Sequence, residues 1–359
     1  MSNRVTIQDI ADALSVSRNT VSKAINNTGI LADATREKVL KKAIEMGYKQ
    51  FSYVNIMNFN NGEPPMAPLQ EVRELALFTT SFPNNSHFAS TLLDKFQKEC
   101  SQLGYNLTFY CVREAELNTL QLPFQFDKDR IAGIICIEMF DYDYSQMLCD
   151  LEIPILFVDC PVVGLRPPLK ADILIMDNQY GIYSFINEMV QRGKTKIGFI
   201  GDIMHCQSFQ ERYLAYRNAL HMAGLPYDEK YCLTGNKKGV KSPSFEDYRE
   251  YLTENIQNMY NMHTLPDVFL CVNDFAAIDV LDVFKKMGIS VPKDIYLCGF
   301  DDSPESRVIT PTLTTIHIHS RIMGFSAVHL LMSRIKEPSL QFRTIHTETE
   351  LIYRESTED

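Results

Sequence analysis

Residues 5–27, VTIQDIADALSVSRNTVSKAINN, decide how the chain begins. Thr6 is of a type that caps helices, and Asp9, three residues on, suits the positive helix end. Ile7, Ile10, Ala11 and Leu14 follow at the spacing of one helical face. The pattern stops at Ser15, and Ser17 reads as a second N-cap. Val16 before it and Val21 four residues after it have the spacing of a hydrophobic staple. Val21, Ala24 and Ile25 give this second helix an apolar stripe, while Arg18, Asn19, Ser22, Lys23 and Asn26 occupy its other face. Residues 35–48, TREKVLKKAIEMGY, supply most of a third helix. It starts near Asp33, buries Val39, Leu40, Ala43 and Ile44, and ends at Gly47, a residue suited to a left-handed cap. Two short helices joined by a tight turn, with a third closing the core, is the helix-turn-helix plan.

In that plan the second helix enters the major groove of DNA with its first residues at the base edges. Arginine bonds guanine bidentately, asparagine bonds adenine, and lysine reaches guanine or phosphate. Arg18, Asn19 and Lys23 are therefore the base-reading candidates. Thr6, Ser17, Ser22, Asn26 and Thr35 are placed for phosphates, which fix register without reading sequence. The competing reading is a three-helix module that binds protein, or a solvated polar face. Charge favours DNA. Residues 1–50 hold eight Lys/Arg and five acids, so this head carries +3 while the remainder of a chain of net charge −10 carries −13. A basic head on an acidic body suits binding by the head alone.

At 359 residues the chain is too long for one ordinary core. Its 45% apolar and 22% charged residues are those of a soluble globular protein. All nine cysteines lie between Cys100 and Cys298, none in a C-x-x-C pair, and their mostly apolar neighbours read as free thiols in a reducing cytoplasm. No apolar signal region follows Met1, and the strongest apolar run, Ile131 to Phe140, contains Glu138 and is too short to span a bilayer.

From about residue 72 strand-like and helix-like segments alternate. Glu74 to Phe78, Tyr105 to Tyr110, Ile131 to Ile137, Ile155 to Val158, Asp172 to Met176, Lys196 to Ile200, Val268 to Val272 and Ile295 to Cys298 read as strands, with helices such as His87 to Leu103 and Gly181 to Arg192 between them. This βαβ rhythm predicts parallel sheets covered on both faces. Arg130 to Asp159 and Pro266 to Asp301 each show two apolar strands ending near polar residues, a coarse internal repeat. Two similar α/β lobes place a ligand cleft between them at the carboxyl ends of the strands. That is the architecture of periplasmic-type binding proteins, which close around ligands by hinge motion.

Residues 5–27 and 35–48 together resemble the headpiece of the LacI/GalR family of bacterial transcription regulators nearly position by position. The resemblance continues to about residue 355 through RIAGIIC (130–136), IPILFVD (153–159), RGKTKIGFIGD (192–202), ERYLAYRNALHMAGL (211–225), PDVFLCVND (266–274), SVPKDIYLCGFDD (290–302) and PTLTTIHIHSRIMGFSAVHLL (311–331). It implies an α/β chain with a small all-α headpiece at 1–49, a hinge at 50–72, and a two-lobed effector and dimerisation body at 73–359. The N-subdomain would hold about 73–173 plus 310–340, and the C-subdomain about 174–309 plus 341–359. It also implies a cytoplasmic homodimeric repressor on a pseudo-palindromic DNA operator, controlled by a small molecule and needing no cofactor, metal or membrane. The hinge departs from the family. Where Arg-Pro-Asn and a short hinge helix are usual, this chain reads Lys49 to Met57, with Asn55 in place of the usual Arg and Met57 at the position of the leucine that wedges into the minor groove. Methionine is bulky enough for a wedge, but the segment is β-branched and aromatic, of modest helix propensity, and Asn58 to Gln70 reads as an extended loop.

The resemblance implies that Asp159, Arg212, Asn273 and Asp301 face the effector. Asp159, Asn273, Asp274 and Asp301 fall just after predicted strands, and Arg212 opens a predicted helix. Carboxylates accept from paired hydroxyls, and arginine and asparagine bridge neighbouring oxygens, which suits a sugar. Phe82 and Phe88 can pack on an apolar sugar face, and Glu138 is a further candidate. Against this stands a purely structural role, since polar residues after strands often cap the next helix. His317 and His319 alternate on a predicted strand as two metal ligands would, with no third ligand evident, so a core or interface role is expected of them. An enzyme reading rests on the pair Asp159 and Asp301 as glycosidase carboxylates. An arginine beside them is expected to hold both ionised, which suits binding rather than acid catalysis. No G-x-S-x-G, G-x-G-x-x-G or G-x-x-x-x-G-K-[ST] is present. Three further readings fit the same residues: a nucleobase-type co-repressor as ligand, a transport-type binding protein, and a sensor whose altered hinge has weakened DNA binding.

Overall fold

The computed structural model describes residues 5–26, 31–46, 73–81, 87–235 and 245–358. The hinge reading of 49–70, with Met57, and the candidate Phe82 lie outside these residues. The chain divides into two compact units, residues 1–72 with 101–105 and residues 73–100 with 106–359.

The head consists of α1 (Ile7–Leu14), α2 (Arg18–Asn26) and α3 (Asp33–Glu45). Asp9 N–H donates to Thr6 Oγ1 at 3.3 Å and Thr6 N–H donates to Asp9 Oδ2 at 2.7 Å, so the first helix begins in a reciprocal capping box. The backbone and hydroxyl bonds from Thr6 hold the Asp9 carboxyl below its ordinary range. The helix stops where Ser15 turns to φ 53° and returns its N–H to Ala11 and Asp12. Two residues on, Ser17 Oγ accepts from Thr20 N–H at 3.0 Å and starts α2. Ile10, Ala11, Val21, Ala24, Val39 and Ala43 form the core, with Val5, Leu14, Val16, Leu31 and Met46 packed against it. Burying a valine or isoleucine is worth roughly 1.5–3 kcal/mol. In so small a core the two caps, at about 1 kcal/mol each, are a substantial share of what holds the turn.

The body carries two parallel sheets. The first joins β1 (Arg73–Thr79), β2 (Tyr105–Cys111), β3 (Ile131–Ile137), β4 (Ile155–Val158), β5 (Asp172–Met176) and β11 (Thr344–Thr347) in the order β11-β5-β4-β3-β1-β2. The second joins β6 (Ile197–Ile200), β7 (Cys232–Leu233), β8 (Val268–Cys271) and β9 (Tyr296–Cys298) in the order β7-β6-β8-β9. The central strands β4, β6 and β8 are buried along their whole length, as sheets covered on both faces require. The covering helices are α4 (His87–Gln102), α5 (Glu114–Thr119), α6 (Tyr142–Cys149), α7 (Tyr180–Gln191), α8 (Gln207–Met222), α9 (Phe245–Asn261), α10 (Asp274–Met287) and α11 (Ser320–Lys336). Gly201, just past β6, has φ +149°, and a Cβ there would lie 2.2 Å from Val272, so only glycine fits this strand exit.

Three passages of chain join the lobes. Because β5 belongs to the first sheet, the chain leaves that lobe between Met176 and Tyr180. It stays in the second lobe through β10 (Thr315–Ile318), which continues from β9 by parallel bridges Cys298–Thr314 and Asp301–His317. It returns at α11, which packs on β3, β4 and β5. After β11 it leaves again to form β12 (Thr349–Ile352), antiparallel to β10. The passages thus fall near residues 178, 319 and 348, rather than near 174, 310 and 340, because each strand expected at a boundary completes its own sheet first. Buried Asp172, at the start of β5, fixes two of these returning segments. It accepts from Arg334 Nη2 of α11 at 2.9 Å and from Arg343 N–H and Nη2 before β11 at 2.8 and 2.9 Å. Burial alone would raise its pKa, but the two arginines hold it below the ordinary value. Among the described residues no helix is long and apolar enough to cross a membrane.

Candidate functional site

The head presents one polar helix face. At 100° per residue, positions 18, 19, 22, 23 and 26 of α2 span an arc of about 140° opposite Val21 and Ala24, which are buried. Arg18 and Asn19 are exposed at the start of the helix, and Ser22 and Lys23 are half-exposed one turn on. The Thr6 hydroxyl donates to Asp9 Oδ2 at 2.8 Å, and Ser17 Oγ shares a bond with Thr20 Oγ1 at 2.8 Å. Both hydroxyls are therefore partly committed to their helix ends. Thr35, at the start of α3, is half-exposed. The Asn26 side chain is outside the described residues.

In the body, acids stand directly after the strands, in backbone conformations that side chains other than glycine rarely adopt. Glu138 follows β3 with φ 54°, Asp159 follows β4 with φ 57°, and Asp301 and Asp302 lie beyond β9 with φ 108° and 54°. Strained residues collected at strand ends point to a site, since each costs about 1–3 kcal/mol to hold. Their roles differ. Asp159 is buried, and its Oδ1 accepts from Cys160 N–H at 2.8 Å and from Ser208 N–H at 3.2 Å. A carboxylate of the first lobe thereby caps α8 of the second. Around it Gln207 N–H donates to Cys160 O at 2.9 Å, and the Phe140 and His205 rings meet edge to face at 4.9 Å. Asn273 caps α10, its Oδ1 accepting from Ala276 N–H at 2.9 Å. Asp274, one residue on, accepts from Thr315 Oγ1 and Ser303 N–H, each at 2.6 Å, and burial raises its carboxyl to about 6. Glu138 Oε2 accepts from Ser81 Oγ at 2.7 Å.

Arg212 lies inside α8, which begins five residues earlier than the sequence pattern suggested. It is 2% exposed. Its Nε donates to Asn178 Oδ1 at 2.9 Å, its Nη1 donates to Val272 O at 2.5 Å, and its guanidinium carbon sits 3.5 Å from the centre of the Phe300 ring. Nη1 also reaches Asp301 Oδ1 at 3.4 Å. Burial nevertheless raises Asp301 from 3.8 to about 7, with Arg212 opposing the rise and Asp274 adding to it. Burial likewise raises Asp159. The expectation that a neighbouring arginine holds the pair ionised therefore fails at Asp301. Desolvation outweighs a single ion pair at these positions. Near neutral pH the Asp301 carboxyl is as able to donate a hydrogen bond as to accept one.

A cavity of about 370 Å³ opens beside Asp301, within the range of small-molecule sites. Phe88 and Thr91 of α4 and the first residues of α11 border it from the first lobe, and Phe275, Asp301 and Arg307 from the second. Of the residues singled out from sequence as effector contacts, Phe88 and Asp301 line it, Arg212 stands behind Asp301, and Asp159 and Asn273 are held at helix ends. His317 and His319, for which a core or interface role was expected, are half-buried and also border it; their rings meet edge to face at 4.8 Å. Phe275, Arg307 and Arg321 border it as well and were not singled out. Their only signal was proximity in sequence to predicted strands.

Similarity to known proteins agrees with this architecture. Residues 6–50 match the family described as bacterial regulatory proteins, lacI family, and residues 186–357 match the periplasmic binding protein-like domain. An HTH-type transcriptional repressor PurR of Aliivibrio salmonicida is 26% identical over 354 residues, covering 98% of each chain. One from Actinobacillus pleuropneumoniae is 27% identical over 360 residues, again covering 98% of each. Among solved structures, a transcriptional regulator CelR–cellobiose complex aligns with TM-score 0.66 at 21% identity, over 98% of this chain and 100% of that one. The lac repressor dimer bound to operator and the anti-inducer ONPF aligns with TM-score 0.61 at 19% identity, over 99% of both chains.

Proposed function

We propose, on the premise that this chain is a LacI-family DNA-binding transcription regulator, that it is a homodimeric repressor whose operator affinity is set by a small ring-shaped effector, a sugar, in the cleft between its lobes. The observation that carries the effector half is the cavity beside Asp301, bounded by both lobes, with a carboxyl on one wall and the Phe88 and Phe275 rings at its border. A sugar offers hydroxyls to the first and apolar C–H faces to the second. Arg212 positions Asp301 rather than meeting the ligand, and Asp159 and Asn273 hold the helices that frame the cleft. The raised carboxyl of Asp301 by itself would also suit acid catalysis. Binding is favoured because Asp159, the second carboxylate a glycosidase would need, is turned to the α8 backbone.

On the head, Arg18, Asn19 and Lys23 read bases, and Thr6, Ser17, Ser22, Asn26 and Thr35 contact phosphates. Two-fold protein symmetry sets a pseudo-palindromic site with one head per half. A nucleobase is the second reading of the ligand. It is favoured by the relatives bearing the name PurR, and the two bordering rings would serve its flat face equally.

The lobes border the effector together, so a ligand that binds one lobe arrangement better shifts the head spacing and with it the operator affinity. Such coupling is reciprocal. Calorimetric titration of an effector onto the full-length protein, with and without operator duplex, is expected to show different affinities by the factor by which that effector changes operator binding. Equal affinities in the two titrations refute the regulatory coupling.

A further inference from the structure

The cavity is more basic than a neutral ligand requires, in a body whose overall charge is strongly negative. Asp302, one of its lining residues, is buried, with two arginines on one carboxylate. Arg354 Nη2 reaches Oδ1 at 2.5 Å, Arg307 bonds both oxygens, and His317 Nδ1 lies 2.9 Å from Oδ2. Burial would raise this carboxyl, but Arg307 and Arg354 hold it below its ordinary range, so it is ionised. One carboxylate against two guanidiniums leaves one positive charge over, and the Arg307 side chain is 55% exposed toward solvent and cavity. Arg321 is also exposed on the cavity border, and Asp301 is already faced by Arg212. The crossing segment adds donors. His319 precedes α11 without a side-chain capping bond; Ile322 N–H turns back to His319 O at 2.9 Å, which leaves the Ser320 and Arg321 amides at the head of that 17-residue helix without a side-chain cap. His319 itself borders the cavity.

We infer that the cleft contains an anion subsite formed by Arg307, Arg321 and His319, and that the effector carries a phosphate monoester there. This rests on the effector reading above and narrows it: Asp301 and the two phenylalanines take the ring, and the arginines at the crossing take the phosphate. The subsite joins a residue pair of the second lobe, Asp302 and Arg307, to the first turn of a first-lobe helix. A dianion bridging them draws the lobes together through charge-assisted bonds. The requirement is for phosphate on a small ring compound, whether sugar or nucleoside.

The test uses full-length protein and inorganic phosphate as probe, with chloride at matched ionic strength as control, followed by phosphorus NMR titration. Wild type is expected to show saturable binding. Arg321→Ala, an exposed substitution, is expected to weaken it about fivefold, while the exposed Lys98→Ala on α4 leaves it unchanged. Arg321→Lys retains the charge and restores part of the affinity. Absence of saturable binding, or binding equally reduced by Lys98→Ala, overturns the subsite. Hexose phosphates, nucleoside monophosphates and their neutral parents are then compared for their effect on operator retention. Retention altered by neutral compounds alone, without phosphate binding, keeps the effector cleft and removes the anion subsite. Arg321-dependent phosphate binding with no ester altering retention keeps the subsite and removes the effector reading.

Discussion

Replacing Asp301 by asparagine is expected to stabilise the unliganded protein above neutral pH while impairing its response to ligand. The carboxyl is raised from 3.8 to about 7, mainly by burial. Between about pH 4 and pH 7 the folded state therefore holds a proton that the unfolded chain has released. The contribution of this group to stability then falls as pH rises through that window and levels off above it, the reverse of a salt-bridged aspartate. A rise of that size corresponds to at most ~4 kcal/mol. The side chain is 24% exposed, and solvent screening brings the expected effect to about 2 kcal/mol. Asparagine keeps the shape, tolerates φ 108° as aspartate does, and still offers Arg212 an oxygen while removing the charge. Urea unfolding of wild type and Asp301→Asn at pH 5 and pH 8, in buffers free of phosphate, reads the difference directly. The variant is expected to gain about 2 kcal/mol on wild type at pH 8 and much less at pH 5. A variant less stable than wild type at pH 8 would show that the Arg212–Asp301 pair outweighs desolvation, and would refute the reasoning. The same balance explains why such a residue stands there: a carboxyl that destabilises the empty cleft is relieved by donors that a ligand brings.

Arg18→Ala is expected to lose about 1–3 kcal/mol of discrimination at one position of each half-site, measured as competition between operators differing by one base pair; an unchanged preference at every position removes the base-reading assignment. Arg334→Met strips buried Asp172 of the ion pair that ties β5 to α11 and leaves Arg343 alone on it, which is expected to cost about 3–5 kcal/mol in denaturant unfolding of the full chain. A loss under about 1 kcal/mol would mean that Arg343 suffices. Thr6→Ala removes the hydroxyl half of the capping box and is expected to cost the head about 1 kcal/mol, read from amide exchange in α1.

What was legible in the sequence was local or periodic. The Thr6–Asp9 box, the Ser17 start of α2 and the single polar face of that helix each lie within a few residues. The parallel sheets followed from apolar runs alternating with amphipathic ones, and Asp301 was marked by its place after a strand. What escaped depends on contacts between distant residues. Ser208 meets Asp159 from 49 positions away, and Arg334 meets Asp172 from 162 away. The balance at Asp301 was misjudged because charge is written in sequence and burial is not. The start of α11 was hidden because His319 supplies no side-chain cap, so His317 and His319 read as alternating on a strand with a core or interface role, and Arg321 went unnoticed. The chain passages between lobes were misplaced by a few residues for the same reason: which sheet β5, β10 and β11 complete is known only from their partners.

The central claim, a sequence-specific dimeric regulator, is tested most directly by selecting random duplex DNA with the purified full-length protein at low and near-physiological salt and sequencing what is retained. The account predicts a pseudo-palindrome whose enrichment survives the higher salt, with half-sites that change when Arg18 or Asn19 is replaced. Binding without enrichment that vanishes as salt rises would show a head that only tracks phosphates, and would contradict it.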